Sequence, residues 1–271
     1  MKIAVCGKGG SGKSTISALL AKQMAKTKNV LVLDTDESNY GLHGQLGLAA
    51  PRDLMGYFGG KQSFKQKQRA PKTSSLKPSA STSVACQQAS GLFEEKWSFS
   101  SLPSEFVEEK GKIKLMAIGK IHEFGEGCAC PMGALTREFL ENLALSENDI
   151  VIVDTEAGVE YFGRGVAKDF DTILVVIDPS YESLKLSKKF NEFGEQAGNR
   201  VFFVLNKVEE DIKNDLLKAV DSSKIAAIIP ANRELFKASL KGEELDLEIE
   251  ELTKLAEFLI LEKDIKNQRE M

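Results

Sequence analysis

The stretch "KIAVCGKGGSGKSTISALL", residues 2–20, decides the fold. Its centre meets the pattern G-x-x-x-x-G-K-[ST] with Gly7, Gly12, Lys13 and Ser14. Before the loop, "KIAVC" (2–6) is a short apolar run with β-branched residues, which predicts a buried strand. After it, Ile16, Leu19, Leu20 and Met24 recur at helical spacing. A strand, a glycine loop and a helix together form a phosphate cradle. Glycine lets backbone N–H groups approach phosphate oxygens with no Cβ in the way, and the helix N-terminus adds a partial positive charge. In that setting Gly7, Lys8, Gly9, Gly10, Ser11, Gly12, Lys13, Ser14 and Thr15 bind ATP or ADP. Lys13 reaches the β- and γ-phosphates, and the Ser14 hydroxyl holds Mg²⁺. The plain alternative is a glycine-rich turn without a ligand. A cradle needs one lysine, and this loop has a second, Lys8.

Outward from the loop, further apolar runs follow: "VLVLD" (30–34), "IKLMAIG" (113–119), "IVIVD" (150–154), "TILVVID" (172–178), "RVFFVLN" (200–206) and "KIAAIIP" (224–230). Near-continuous apolar runs are expected of strands buried on both faces. Helical patterns lie between most of them; "ALTREFLENL" (134–143) puts Leu135, Phe139, Leu140 and Leu143 on one face. The alternation predicts an α/β fold, a mostly parallel sheet with helices on both faces in one domain over 1–271, and the loop at 7–15 makes it a P-loop NTPase sheet. One interruption, 54–93, carries Lys61, Lys65, Lys67, Arg69, Lys72 and Lys77 and no acidic residue. Residues 60–92 are expected to be a mobile basic insertion, either simply solvated or a patch for an acidic partner.

Composition excludes several classes. The chain has 271 residues, 36 basic against 40 acidic, and a net charge of −4, a poor balance for a nucleic-acid binder. No apolar run approaches the ~20 residues of a membrane span, and no basic-then-apolar leader opens the sequence. A cytoplasmic protein is expected, with no nucleic-acid partner and no stable membrane insertion. Four cysteines in a chain this long do not make a disulfide framework; they suggest a buried thiol or a metal site.

Three more segments suit nucleotide chemistry. Asp34 and Asp36 end a strand in "VLVLDTDES" and alternate onto one side, toward the edge where open parallel sheets bind ligands. A carboxylate there could orient or deprotonate an attacking water; the alternative is a turn-forming role. Asp154, after four apolar residues, fits the acid that holds Mg²⁺ through water, and Gly158 gives the next loop room to move. Asn206, at a strand end beside Lys207, could present its amide to the adenine edge.

"GKGGSGKST" resembles the deviant Walker A loop of the ATPase group that includes the MinD, ParA, ArsA and nitrogenase iron-protein families. The resemblance implies that Lys8 reaches across a dimer interface to the partner's phosphates. A cation delivered on closure would stabilise charge building on the phosphoryl oxygens; contact with phosphate in its own chain is the alternative.

"GCACPMGALTR" (127–137) narrows the group. Cys128 and Cys130 lie two residues apart, ahead of a helix beginning near Pro131, whose N-terminus favours thiolate. Two thiolates are too few for a closed site, but two pairs meeting across a two-fold axis make four. Unmetallated thiols are the other reading. The loop, the C-x-C-P and "DTEAGVEYFGRG" (154–165) together resemble the CooC-type carbon monoxide dehydrogenase accessory family along nearly the whole chain. That resemblance implies an ATPase that helps insert nickel, working as a homodimer promoted by ATP and metal, with carbon monoxide dehydrogenase as partner. By position, Lys8 is the signature lysine and Asp36 the water-activating residue. Asp154 is the Walker B acid, with Ser14, Asp36 and Asp154 around Mg²⁺, and Cys128 and Cys130 are the ligands of Ni²⁺ or Zn²⁺. Tyr161 departs from the histidine expected in the switch segment. The competing classes are a MinD/ParA-like positioning ATPase and an iron-protein-like electron-transfer ATPase. The last helix has Ile249, Leu252, Leu255 and Leu259 on one stripe among glutamates, the wrong sign for anionic lipid. C-x-C does not match two well-separated cluster cysteines.

Overall fold

The structure, a computed structural model, describes residues 1–69, 93, 95–121, 130–159 and 166–270. Among these, eight strands form one sheet in the order β3-β4-β2-β5-β1-β6-β7-β8. β1 (Lys2–Gly7) lies between β5 (Asp149–Asp154) and β6 (Thr172–Ile177), parallel to both. β2 (Asn29–Asp34) joins β5 to β4 (Ile113–Ala117), while β7 (Arg200–Val208) and β8 (Ile225–Pro230) extend the other side. Every pairing is parallel except that of β3 (Glu108–Lys110), an antiparallel edge strand.

Helices cover both faces, as the continuous apolar runs require. On one face Ile3, Val5 and Val32 pack with Ile16, Leu19 and Leu20 of α1 (Lys13–Met24). Opposite ends of the chain meet here. Ile249 and the stripe of Leu252, Leu255 and Leu259 belong to the same buried cluster, and α9 (Glu250–Glu270) lies on α1 and β8. On the other face Ala4, Leu31, Val151 and Val153 pack with Leu135, Phe139 and Leu140 of α5 (Cys130–Glu141) and Phe190 of α6 (Tyr181–Gln196). Among the described residues, no helix is long and apolar enough to cross a membrane.

At the start of the expected insertion, residues Gly60–Arg69 form a helix, α4. Its anchor is Phe64, fully buried, with its ring 5.9 Å from that of Phe58 and part of an aromatic cluster with Phe93, Trp97 and Phe139. A helix rich in lysine and glutamine needs tertiary packing to be stable, and one aromatic side chain supplies it. Residues 70–92, with Cys86, lie outside the described residues.

Parallel pairing in register brings three loops to one edge. Asp154 pairs with Val5 of β1 on one side and with Asp34 of β2 on the other. The loops leaving β1, β2 and β5 therefore start level at the C-terminal edge.

Candidate active site

The loop after β1 has the backbone its glycines were chosen for. Gly7 has φ +149°, and a Cβ there would stand 2.4 Å from the Val176 carbonyl oxygen. Gly12 has φ +101°, and its Cβ would stand 2.3 Å from Asn206 Nδ2. No larger residue fits either place. Ser11 N–H donates to the Lys8 carbonyl at 3.2 Å, and Lys13 Nζ reaches the same oxygen at 3.4 Å.

The end of β7 grips this loop from the side. Asn206 donates through Nδ2 to the Ser11 carbonyl at 2.8 Å, and Lys207 Nζ donates to the Gly10 carbonyl at 2.7 Å. Lys207 has φ +60°, the one positive φ among described non-glycine residues. The amide expected to face adenine thus has another partner: Asn206 is buried and pins the phosphate loop.

Asp154 is the centre of the site. It is fully buried and accepts from Ser14 Oγ at 2.6 Å and Ser17 Oγ at 3.0 Å. Asn39 Nδ2 lies between, 2.7 Å from Ser14 Oγ and 3.2 Å from Asp154 Oδ2. Burial pushes the Asp154 carboxyl up, against the Ser14 and Ser17 hydroxyls and the Lys13 charge, and nearby Asp36 pushes it further. A hydroxyl and a buried carboxylate in contact are hard oxygen donors of the kind Mg²⁺ takes. The donor set fits: Ser14 and Asp154 would hold the ion, which would neutralise charge on the β- and γ-phosphates.

The two aspartates of the β2 loop part company. Asp36, half-buried, accepts from Ser38 N–H at 3.0 Å and Ser38 Oγ at 2.7 Å. Asp34 turns instead to Lys120, whose ammonium is 2.6 Å from its Oδ2. Burial still pushes the Asp34 carboxyl up to about 7 in spite of that lysine.

Lys8 is held in its own chain. Its ammonium lies 3.1 Å from Asp178 Oδ2, just past the end of β6. Burial raises the Asp178 carboxyl, but hydrogen bonds from Ser180, Lys8 and Ser183 outweigh it and hold it below the ordinary aspartate range. Gly158, at φ +89°, donates its N–H to the Gly7 carbonyl at 3.2 Å, tying the loop after β5 to the phosphate loop.

Cys130 is the first residue of α5, so the helix starts one residue before Pro131 and extended-chain geometry does not hold at Cys130. Cys128 and Tyr161 lie outside the described residues. Among the described residues no group of three or more His, Cys, Asp or Glu side chains could hold a metal ion. Cys6 is the buried structural thiol that the cysteine count allowed, its thiol pushed up by burial.

Sequence reasoning passed over Ser17, Asn39, Lys120 and Asp178. Ser17 stands one helical turn beyond Ser14, a spacing that puts both on one face. Asp178 follows an apolar run as Asp34 and Asp154 do. For Asn39 and Lys120 there is no local signal.

Residues 2–245 match the family model described as the CobQ/CobB/MinD/ParA nucleotide binding domain. The chain is 50% identical to an uncharacterised ATP-binding protein of Methanocaldococcus jannaschii over 96% of this chain and 99% of that one. It is 27% identical to the carbon monoxide dehydrogenase accessory protein CooC of Rhodospirillum rubrum over 89% of this chain and 88% of that one. Among solved structures it is similar to the septum site-determining protein MinD of Pyrococcus horikoshii in complex with Mg-ADP. The TM-score is 0.66 at 16% identity, covering 95% of this chain and 94% of that one. A ParA family ATPase of Chlorobium tepidum superposes with a TM-score of 0.63 at 17% identity, covering 96% and 97%.

Proposed function

The chain belongs to the CobQ/CobB/MinD/ParA nucleotide-binding family and is an ATPase, and within that family we propose that it assists nickel insertion into carbon monoxide dehydrogenase. The observation that carries this reading is the sequence Cys128-Ala129-Cys130-Pro131, whose last two residues open α5, in a chain that also has the two-lysine phosphate loop. The 27% identity to CooC supports it. The cargo is Ni²⁺, with Zn²⁺ the competing ion. Two thiolates per chain reach a four-thiolate site across the axis of a homodimer.

The residues divide the work. The loop Gly7–Thr15 and Lys13 bind the phosphates, and Ser14 and Asp154 hold Mg²⁺. Asp36 orients the attacking water. Lys8 leaves Asp178 on dimer closure and stabilises charge on the partner's nucleotide. Metal and ATP then favour the same closed dimer, and linkage makes the coupling reciprocal. Hydrolysis loosens the dimer and frees the ion beside a docked dehydrogenase in the cytoplasm.

The test is anaerobic. Nickel-free dehydrogenase is incubated with Ni²⁺, ATP and this protein, and CO oxidation is followed. Activity should rise above an ADP control, and C128S/C130S should abolish the rise. One metal ion per dimer should bind, more tightly with a non-hydrolysed ATP analogue. No rise over ADP, or tight metal binding that survives C128S/C130S, overturns the reading and leaves an ATPase with another client.

A further inference from the structure

Loop 35–40 carries both Asp36 and Asn39, and it is held from two sides. On its inner side Thr35 Oγ1 donates to the Asp154 carbonyl at 2.9 Å, and Asn39 touches Ser14 and Asp154. On its outer side stands a single ammonium. Lys120 Nζ donates to Asp34 Oδ2 at 2.6 Å, the Asp36 carbonyl at 2.6 Å and the Asn39 carbonyl at 2.5 Å. A lysine ammonium has three donors and no acceptor, so every donor is directed at this one short stretch. The Lys120 side chain is 10% exposed and that of Asp34 is 7%. Withdrawing such a charge from water is costly unless the geometry compensates, and a carboxylate with two carbonyl dipoles compensates it.

Lys120 is itself fixed. Its N–H donates to Asp53 Oδ2 at 3.0 Å. Beside it, Ile118 N–H donates to the Asp34 carbonyl at 2.9 Å and Ile121 N–H to the Glu37 carbonyl at 3.3 Å. Its ammonium also lies 5.9 Å from the Tyr40 ring centre. The chain leaving β4 is thus tied by its backbone to Asp34, Glu37 and Asp53, and Lys120 is the arm that holds the loop to it.

We propose that Lys120 is a positioning residue for ATP hydrolysis, whose ammonium sets loop 35–40 so that Asp36 and Asn39 meet the phosphate site at reactive geometry. It rests on the reading of Asp36 as the residue that orients the attacking water. Lys120 contacts neither Ser14 nor Asp154 and acts through the loop. A displacement of about 1 Å at a reacting group can cost about 100-fold in rate, which is the scale at stake when one clamp of a short loop is removed.

The experiment measures kcat, KM and ADP affinity for K120M, K120R, D36N and K120M/D36N in the full-length protein. K120M should lower kcat by about 10- to 100-fold, while KM and ADP affinity stay within about threefold because the phosphate loop is untouched. K120R keeps the charge, and with it the best chance of folding. Its planar fork cannot place three donors on three acceptors spaced for an ammonium, so kcat should remain low. Ethylammonium added to K120A should restore part of kcat. K120M/D36N should be no slower than D36N, because both changes disable one residue. If D36N abolishes turnover while K120M and K120R keep theirs, the inference fails and the Asp36 reading stands. If D36N keeps its turnover, the Asp36 reading fails and takes the inference with it. Loss of ADP affinity in step with kcat, additive with D36N, would make Lys120 merely structural and overturn the proposal.

Discussion

The ion pair between Lys8 and Asp178 predicts a gain of function. For Lys8 to reach a partner's phosphates, the 3.1 Å contact to Asp178 must break in each subunit. The bare Coulomb term at that distance is about 5 kcal/mol for an effective dielectric constant of about 20. Most of that is lost again. The two side chains are 21% and 14% exposed, both are solvated when apart, and ordering a lysine costs entropy. A net value of about 1 kcal/mol per pair is the scale measured for such contacts. A dimer breaks two, so the latch opposes closure by about 2 kcal/mol, or about 30-fold in the dissociation constant.

D178N removes the charge and keeps a side-chain oxygen for the Ser180 hydroxyl, which donates to Asp178 Oδ1 at 2.7 Å. Sedimentation equilibrium with a non-hydrolysed ATP analogue reads the dimer constant directly. D178N should dimerise about 30-fold more tightly than the parent, and K8A/D178N should lose that gain because the lysine it releases is gone. A dimer constant unchanged in D178N, or a gain that persists without Lys8, would refute the latch. A loss of nucleotide binding would refute it as well, by placing Asp178 in the binding site itself.

Three other outcomes follow from the geometry. G12A should bind ADP at least about 100-fold more weakly in a fluorescent-nucleotide titration, since its Cβ would stand 2.3 Å from Asn206 Nδ2 at φ +101°. F64A should lose about 3–5 kcal/mol in urea unfolding, the usual cost of emptying a fully buried phenylalanine site; a loss below about 1 kcal/mol would place α4 outside the core. Asp34 makes stability fall as pH rises: its carboxyl holds a proton up to about 7 when folded, against an ordinary value of 3.8. Between those values the folded state binds more protons than the unfolded one, so unfolding free energy drops with pH, by at most about 1.4 kcal/mol per unit from this group. D34N should flatten that slope in denaturant titrations at pH 5, 6 and 7, and an unaltered slope would remove Asp34 as its source.

What the sequence discloses is local. The strands were legible because residues buried on both faces leave unbroken apolar runs, and the phosphate loop because its whole grammar fits within nine residues. β3 was not, since Glu108, Glu109 and Lys110 at a sheet edge bury almost nothing and show no pattern. Nor was α4: with Phe64 as its apolar anchor among lysines and glutamines, it has the composition of a loop.

The site divides along the same line. Asp34, Asp154 and Asp178 each follow an apolar strand, and the apolar run alone cannot tell them apart. Their partners can, and those come from distant parts of the chain. Asp34 has the ammonium of Lys120 and Asp178 that of Lys8. Asp154, the most buried of the three, is met by two hydroxyls and an amide. Burial raises the Asp34 and Asp154 carboxyls alike, but no ammonium touches Asp154 to offset it. The same unmet demand for positive charge favours a divalent ion. Asp154 is therefore the strand-terminal aspartate suited to hold Mg²⁺, while the other two each hold a lysine in place, Asp34 holding Lys120 and Asp178 holding Lys8.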